Sequence, residues 1–183
     1  MRLHLFGASG TGVTTLGQTL APVLNCPYFD TDIYFWLPAQ PAFTQRRPPA
    51  ERNAQLAADL ARQPRAIVGG SLGGWGNEWF AAFDLAVFLW LPPALRLQRL
   101  AAREHSRYGA AIATDPAQAT QTAAFLAWAA GYDDNSTGGT RTIATHTAWL
   151  SRFTCPVLEL RGDLSVAERV AAVCQQLRHL QLA

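Results

Sequence analysis

Short, wholly apolar runs alternate along the chain with longer stretches in which apolar side chains return every three or four positions. The first kind reads as buried strand, the second as helix packed by one face. Strands are expected at residues 2–6, 27–30, 65–69, 84–90 and 156–160. The run Leu85-Ala86-Val87-Phe88-Leu89-Trp90 lacks polar alternation, which suits a strand covered on both sides. Helices are expected from Thr14 to about Leu20, ending near Pro22, and over 50–62, with Pro49 suited to the first turn. Further helices are expected from Pro92-Pro93 to about Tyr108, and over 118–130, 140–150 and 166–180. Val166, Val170, Val173 and Leu177 mark the inward stripe of the last helix; Phe125, Leu126 and Trp128 are the expected buried positions of the 118–130 helix. Residues 37–49 carry Pro38, Pro41, Pro48 and Pro49 and are expected as an extended loop. Five strands alternating with helices imply an α/β architecture in three layers: a five-stranded parallel sheet with helices on both faces, because parallel neighbours need a crossover.

Composition narrows the class. Hydrophobic content of 49% and charged content of 15% over 183 residues suit one globular domain spanning 1–183, and there is no internal repeat. A net charge of +2, with no basic run interleaved with aromatics, argues against nucleic acid as partner. No apolar run reaches the roughly 18–20 residues of a membrane span, and Arg2 leads straight into the first strand without a leader-like apolar region. Cys26, Cys155 and Cys174 are scattered and form neither metal spacing nor a disulfide framework, so a reducing compartment, the cytoplasm, is expected. The oligomeric state is left open.

Chemistry concentrates just after the first strand. Gly7-Ala8-Ser9-Gly10-Thr11-Gly12-Val13-Thr14-Thr15 joins that strand to the first helix. Glycines allow successive N–H groups to converge in one nest, and the helix adds unpaired N–H groups and the positive end of its dipole. The result is a seat for a di- or triphosphate such as ATP or ADP. Against the pattern G-x-x-x-x-G-K-[ST], Gly7, Gly12 and Thr14 match, with Thr14 at the Mg²⁺-holding hydroxyl position; the lysine position is Val13. No lysine can substitute, since all 15 basic residues are arginine.

Other candidates surround this loop. Asp30 and Asp32 lie just past the second strand, where open α/β sheets place ligands. One could hold Mg²⁺ through water and the other orient or deprotonate an acceptor hydroxyl; alternatively Asp30 or Thr31 caps the next helix. Arg46, Arg47 or Arg52 could hold an anion bidentately or remain solvated. Gly70 opens a glycine-rich turn that allows close approach of a ligand, or simply moves. Arg96, Arg99, Arg103 and Arg107 fall on one helical face, an anion-reading surface or a solvated one, with Ala94, Leu97 and Ala101 opposite, toward the expected core. Residues 109–117 form a short loop, within a candidate lid over 107–119. The acids of the 131–139 turn lack calcium-loop spacing and are expected to cap or be solvated. Arg141 is a phosphate candidate, and His146 is expected to be structural.

The loop GASGTGVTT, the segment FDTDIYFW, the stretch PAFTQRRPPAER, the turn GGSLGGWG, the strand DLAVFLWLPP with its helix RLQRLAARE, and FLAWAAGYDD resemble bacterial adenylate kinase-like proteins. These stand within the nucleoside monophosphate kinase and shikimate kinase group of P-loop proteins. The resemblance implies a P-loop NTPase fold with ATP phosphates and Mg²⁺ on the loop and Asp30. It implies an acceptor bound over 31–62, and transfer assisted by Asp32, Arg99, Arg103 and Arg141. Asp30-Thr31-Asp32 matches the D-x-D of shikimate kinases; the proline-arginine stretch matches neither group, and Val13 departs from both. Two functions therefore stand: a kinase acting on a nucleoside monophosphate or similar small acceptor, and a nucleotide-binding module of little or no kinase activity serving a partner.

Overall fold

A computed structural model describes residues 1–40 and 42–182. Five strands form one parallel sheet in the order β2-β3-β1-β4-β5: β1 (Arg2–Gly7), β2 (Tyr28–Asp30), β3 (Ala66–Gly69), β4 (Leu85–Trp90) and β5 (Val157–Arg161). Each of the five expected strands is present. Pro41, one of the prolines of the expected extended loop, lies outside the described residues, as does Ala183.

Alternation along β1 divides the core. Leu3 and Leu5 point to the face covered by Leu16 and Leu20 of α1 (Val13–Val23) and by Val173 and Leu177 of α8 (Val166–His179). Phe6 points to the other face, against Leu56 and Leu60 of α3 (Pro49–Ala61) and Trp149 of α7 (Ile143–Leu150). Residues 85–89 of β4 are fully buried, so this strand is covered on both sides as its unbroken apolar run requires. Each fully buried leucine of this sandwich contributes about 1.5–3 kcal/mol.

α1 ends one residue past Pro22, close to the expected point, with the proline in its last turn. Other elements add to expectation or depart from it. Asp30 and Thr31 open a five-residue helix, α2 (Thr31–Phe35), and Asn77–Ala81 forms a 3₁₀ turn. Much of the expected 109–117 loop is helical: α5 (Ala111–Thr114) precedes α6 (Pro116–Ala130), which Asp115 caps by accepting from Ala117 N.

α4 (Pro93–Tyr108) turns inward a different face from the expected one. Its inward residues are Arg96, Leu100 and Glu104, whereas Ala94 and Ala101 are exposed. The arginine face borders a cleft and finds polar partners there, so small apolar side chains are left outside. Likewise Phe125, Leu126 and Trp128 are only half-buried, while Thr122 and Ala129 are the buried positions of α6. In α8 the inward stripe runs Arg169, Val173, Leu177, and Val166 is exposed.

Candidate functional site

The loop between β1 and α1 closes on itself. Thr11 donates to Ala8 O twice, from its backbone N at 3.1 Å and its Oγ1 at 2.8 Å. Gly10 and Gly12 adopt left-handed backbone, φ +88° and +95°, which a side chain would strain. Gly12 is the N-cap of α1 and brings no capping side chain. The first-turn N–H groups of α1 are thus left for a ligand at the cleft.

Two buried guanidiniums brace the loop, Arg96 beside Gly10 and Arg169 beside Gly12. Arg96 donates to Ser9 O at 3.3 Å, to Ala129 O at 2.9 Å and to Asp133 Oδ2 at 2.7 Å. Arg169 donates to Thr11 O at 2.6 Å and Gly162 O at 3.5 Å.

Thr14 and Asp30 meet beside the loop. Thr14 donates its hydroxyl to Asp30 Oδ2 at 3.0 Å, Tyr28 donates its phenol to the same oxygen at 3.1 Å, and Asp32 N donates to Asp30 Oδ1 at 3.0 Å. Burial first, then the Asp30 charge, pushes the Tyr28 phenol up, so it stays a donor. A hydroxyl and a carboxylate at the start of a helix are hard oxygen donors of the kind Mg²⁺ takes, usually with waters completing its shell. Among the described residues no group of three or more His, Cys, Asp or Glu side chains is placed to hold a metal ion.

A cleft of about 630 Å³ opens over the loop at the C-terminal edge of the sheet. A second, of about 560 Å³, runs beside it between α2, α4 and α6. They share Ser9, Asp32, Ser71, Arg103, Arg107, Trp128 and Arg141, and so form one continuous depression. Asp32 stands at the junction, with Arg141 Nη2 3.6 Å from its Oδ1. Enclosure by the cleft walls raises the Asp32 carboxyl, and Asp30 adds to this; Arg141 and, more weakly, Arg103 oppose it. Aromatic rings line the second cleft: Phe35 and Trp36 lie under the Arg46 guanidinium at 5.7 and 6.0 Å, and Phe125 stacks on Trp128 with centroids 6.0 Å apart. Arg103 lies over Phe125 at 5.5 Å and Arg107 over Phe43 at 5.8 Å.

No protein-family model matches the chain. It is 41% identical over 175 residues, 96% of both chains, to "Uncharacterized protein YqaC" of Bacillus subtilis (strain 168). The chain belongs to the YqaC family. Solved structures similar to this YqaC-family chain include shikimate kinases. That of Acinetobacter baumannii in complex with shikimate has a TM-score of 0.57 at 16% identity, covering 100% of this chain and 95% of that one. That of Aquifex aeolicus has a TM-score of 0.54 at 18% identity, covering 100% and 99%. The YqaC-family chain therefore has the P-loop kinase fold of the shikimate kinases.

Most of the residues singled out in the sequence converge. Gly7, Ala8, Ser9, Gly10, Gly12, Val13, Thr14, Thr15, Asp30, Asp32, Gly70 and Arg141 line the first cleft, with the four arginines of α4. Thr11 is wholly buried and shapes the loop from inside. Arg99 reaches Asp163 Oδ1 at 2.6 Å. Arg96 is not a surface anion reader but a buried member of an ion pair. Its partner Asp133 is correspondingly no solvated turn residue. Arg46 lines the second cleft only, and Arg47 lines neither, donating instead to Tyr34 O at 3.0 Å. Arg52 is buried, donates to Gly74 O at 3.0 Å and lies 4.4 Å over the Trp75 ring. His146 sits buried against Tyr132, its Nδ1 2.9 Å from the phenol oxygen, and burial lowers its pKa to about 3.

Sequence reading missed Arg169, Ser71 and Tyr132, all in the first cleft. For Arg169 a signal was available: an arginine four residues before Val173 and eight before Leu177 falls in the inward stripe of an amphipathic helix.

Proposed function

We propose that this YqaC-family protein is an ATP-dependent small-molecule kinase, adenylate kinase-like in chemistry, that phosphorylates a nucleoside monophosphate or a similar small acceptor. The junction of the two clefts at Asp32 supports this reading most. It sets a carboxylate between a phosphate-binding loop and a ring-lined pocket. In the second cleft Arg46, Arg103, Arg107 and Arg141 face Asp32 and Glu104, leaving two positive charges uncompensated among the described lining residues. That balance suits a dianionic phosphate monoester, and the aromatic walls suit a planar base.

In this reading residues 7–15 hold the ATP phosphates. Thr14 and Asp30 hold Mg²⁺, which would neutralise phosphate charge. Asp32 accepts the acceptor's proton or orients its nucleophilic oxygen, and its raised pKa suits a base. Arg99, Arg103 and Arg141 stabilise charge on the transferring phosphoryl group, since such transfer is mostly positioning and electrostatics. Arg46 and Gly70 border the acceptor. Among the described residues no helix is long and apolar enough to cross a membrane, and three free thiols favour the cytoplasm as the place of action.

The test is ATP consumption with AMP, CMP, GMP, UMP and shikimate as acceptors. Transfer to a nucleoside monophosphate is expected. A second reading, a nucleotide-binding regulatory module with little or no kinase activity, is favoured by Val13 at the lysine position. Calorimetric ADP binding without transfer to any acceptor would select it. Absence of all nucleotide binding rejects both.

A further inference from the structure

The chain holds no lysine, so the charge that a P-loop lysine would bring to the polyphosphate must come from elsewhere if it is present at all. We infer that Arg169 supplies it: its guanidinium, reaching the loop from the last helix, meets the polyphosphate of the bound nucleotide. This rests on the nucleotide-binding reading above.

Arg169 is 3% exposed, yet no carboxylate pairs with it among the described residues. Its polar partners are two backbone carbonyls, and its Nε–H has none. Asp163 is the acid nearest in charge influence, but that carboxylate is engaged by Arg99 at 2.6 Å and is itself 59% exposed. A buried cation without a counter-ion is costly. The other arginine bracing this loop shows the usual solution: Arg96, equally buried, is matched by Asp133. Arg52, buried without a carboxylate, is met instead by the Trp75 ring at 4.4 Å; among the described residues Arg169 has neither a carboxylate nor a ring against it. Arg169 remains uncompensated in the wall of a cleft whose proposed ligand is a polyanion.

Position supports the same conclusion. A Cβ placed on Gly12 would lie 3.0 Å from Arg169 Nη1, so the guanidinium is packed against the residue that opens α1. Its bond to Thr11 O holds it there. Guanidinium carries five N–H donors, and two carbonyls leave donors for a phosphate oxygen. The sequence places Val13 one residue from Gly12, so a lysine at 13 and the arginine at 169 would serve one region from two different elements.

The experiment measures ADP and ATP affinity with Mg²⁺ by calorimetry for wild type, Arg169→Gln, Arg169→Lys, Val13→Lys with Arg169→Gln, and Arg178→Gln as an exposed control on the same helix. Loss of a charge-assisted bond predicts about 10- to 100-fold weaker ADP binding in Arg169→Gln. Val13→Lys is expected to restore most of it, Arg169→Lys to stay within about threefold of wild type, and Arg178→Gln to be unchanged. Equal affinity in wild type and Arg169→Gln overturns the assignment. So does a loss that neither lysine restores in a folded protein, since the guanidinium then acts as a clamp alone. Should Arg169→Gln not fold, Arg169→Lys decides: more than tenfold loss in the folded variant overturns the inference. A wild type that binds no nucleotide removes the underlying reading as well, and is distinguished by the wild-type titration itself.

Discussion

Arg141 holds its Nη2 3.6 Å from Asp32 Oδ1, at the point where the loop cleft opens into the aromatic cleft. The pair couples a candidate base to a candidate charge stabiliser, and the coupling has a sign. Enclosure raises the Asp32 carboxyl above its ordinary 3.8 and Arg141 pulls it back. A base must be ionised, so turnover should fall as pH drops through the raised value. Arg141→Ala removes a lowering influence and should move the acid limb of kcat/KM to higher pH; a limb that stays or moves down excludes Asp32 as the titrating group. Asp32→Asn should cost about 10²–10⁴ in turnover with ADP affinity unchanged.

The Thr14–Asp30 bond predicts a metal phenotype. Asp30→Asn keeps a side chain able to cap α2, so urea midpoints should change by less than about 1 kcal/mol in stability. It loses the negative charge, so the Mg²⁺ concentration needed for half-maximal turnover should rise several-fold. A magnesium titration of both proteins checks this; an unchanged requirement removes Asp30 from the metal site.

Gly17 makes a prediction about stability that runs against helix propensity. Alanine within a helix is normally about 0.5–1 kcal/mol better than glycine. Here a Cβ on Gly17 would collide with the Tyr28 ring, whose hydroxyl is tied to Asp30. Gly17→Ala should therefore destabilise by about 1–3 kcal/mol, an overpacking cost. The same substitution in a Tyr28→Ala background should be neutral or stabilising. Urea unfolding of the four proteins of this cycle measures the reversal.

Two buried histidines predict acid sensitivity. Burial lowers His4 to about 4 and His146 to about 3, against an ordinary value of 6.5. Below pH 6.5 the unfolded chain takes up protons that the folded chain refuses. Stability should be flat above about pH 7 and fall as pH drops from 6.5 toward 4, approaching about 1.4 kcal/mol per pH unit for each histidine. His4 stacks between Phe6 at 5.2 Å and Phe83 at 4.8 Å, so His4→Phe is a fitting replacement. It should halve the slope; urea midpoints between pH 7.5 and 5 would show an undiminished slope if His4 were not involved.

Periodicity and local chemistry carried much of the architecture. An apolar run such as 85–89 has few choices besides a covered strand, and glycines 7, 10 and 12 between a strand and a helix leave little but a nest. Asp30 was legible in two alternatives, cap or metal-side carboxylate; the structure shows the cap, one oxygen accepting from Asp32 N, while the other accepts from Thr14 and carries the proposed metal role.

The sequence by itself determined the strand count, the phosphate-loop candidate with its missing lysine, and which arginines share a face of α4. Tertiary structure alone decided which way that face points, that Arg96 is spent on Asp133, and that Arg169 meets Thr11, 158 positions away along the chain. The reason is physical. Hydrophobic periodicity reports the average polarity of a helix face, whereas the location of a charged side chain depends on partners brought together by the fold. A buried guanidinium is tolerated where carbonyls, a carboxylate or a ligand's anion meet it, and those groups come from segments that local sequence cannot relate.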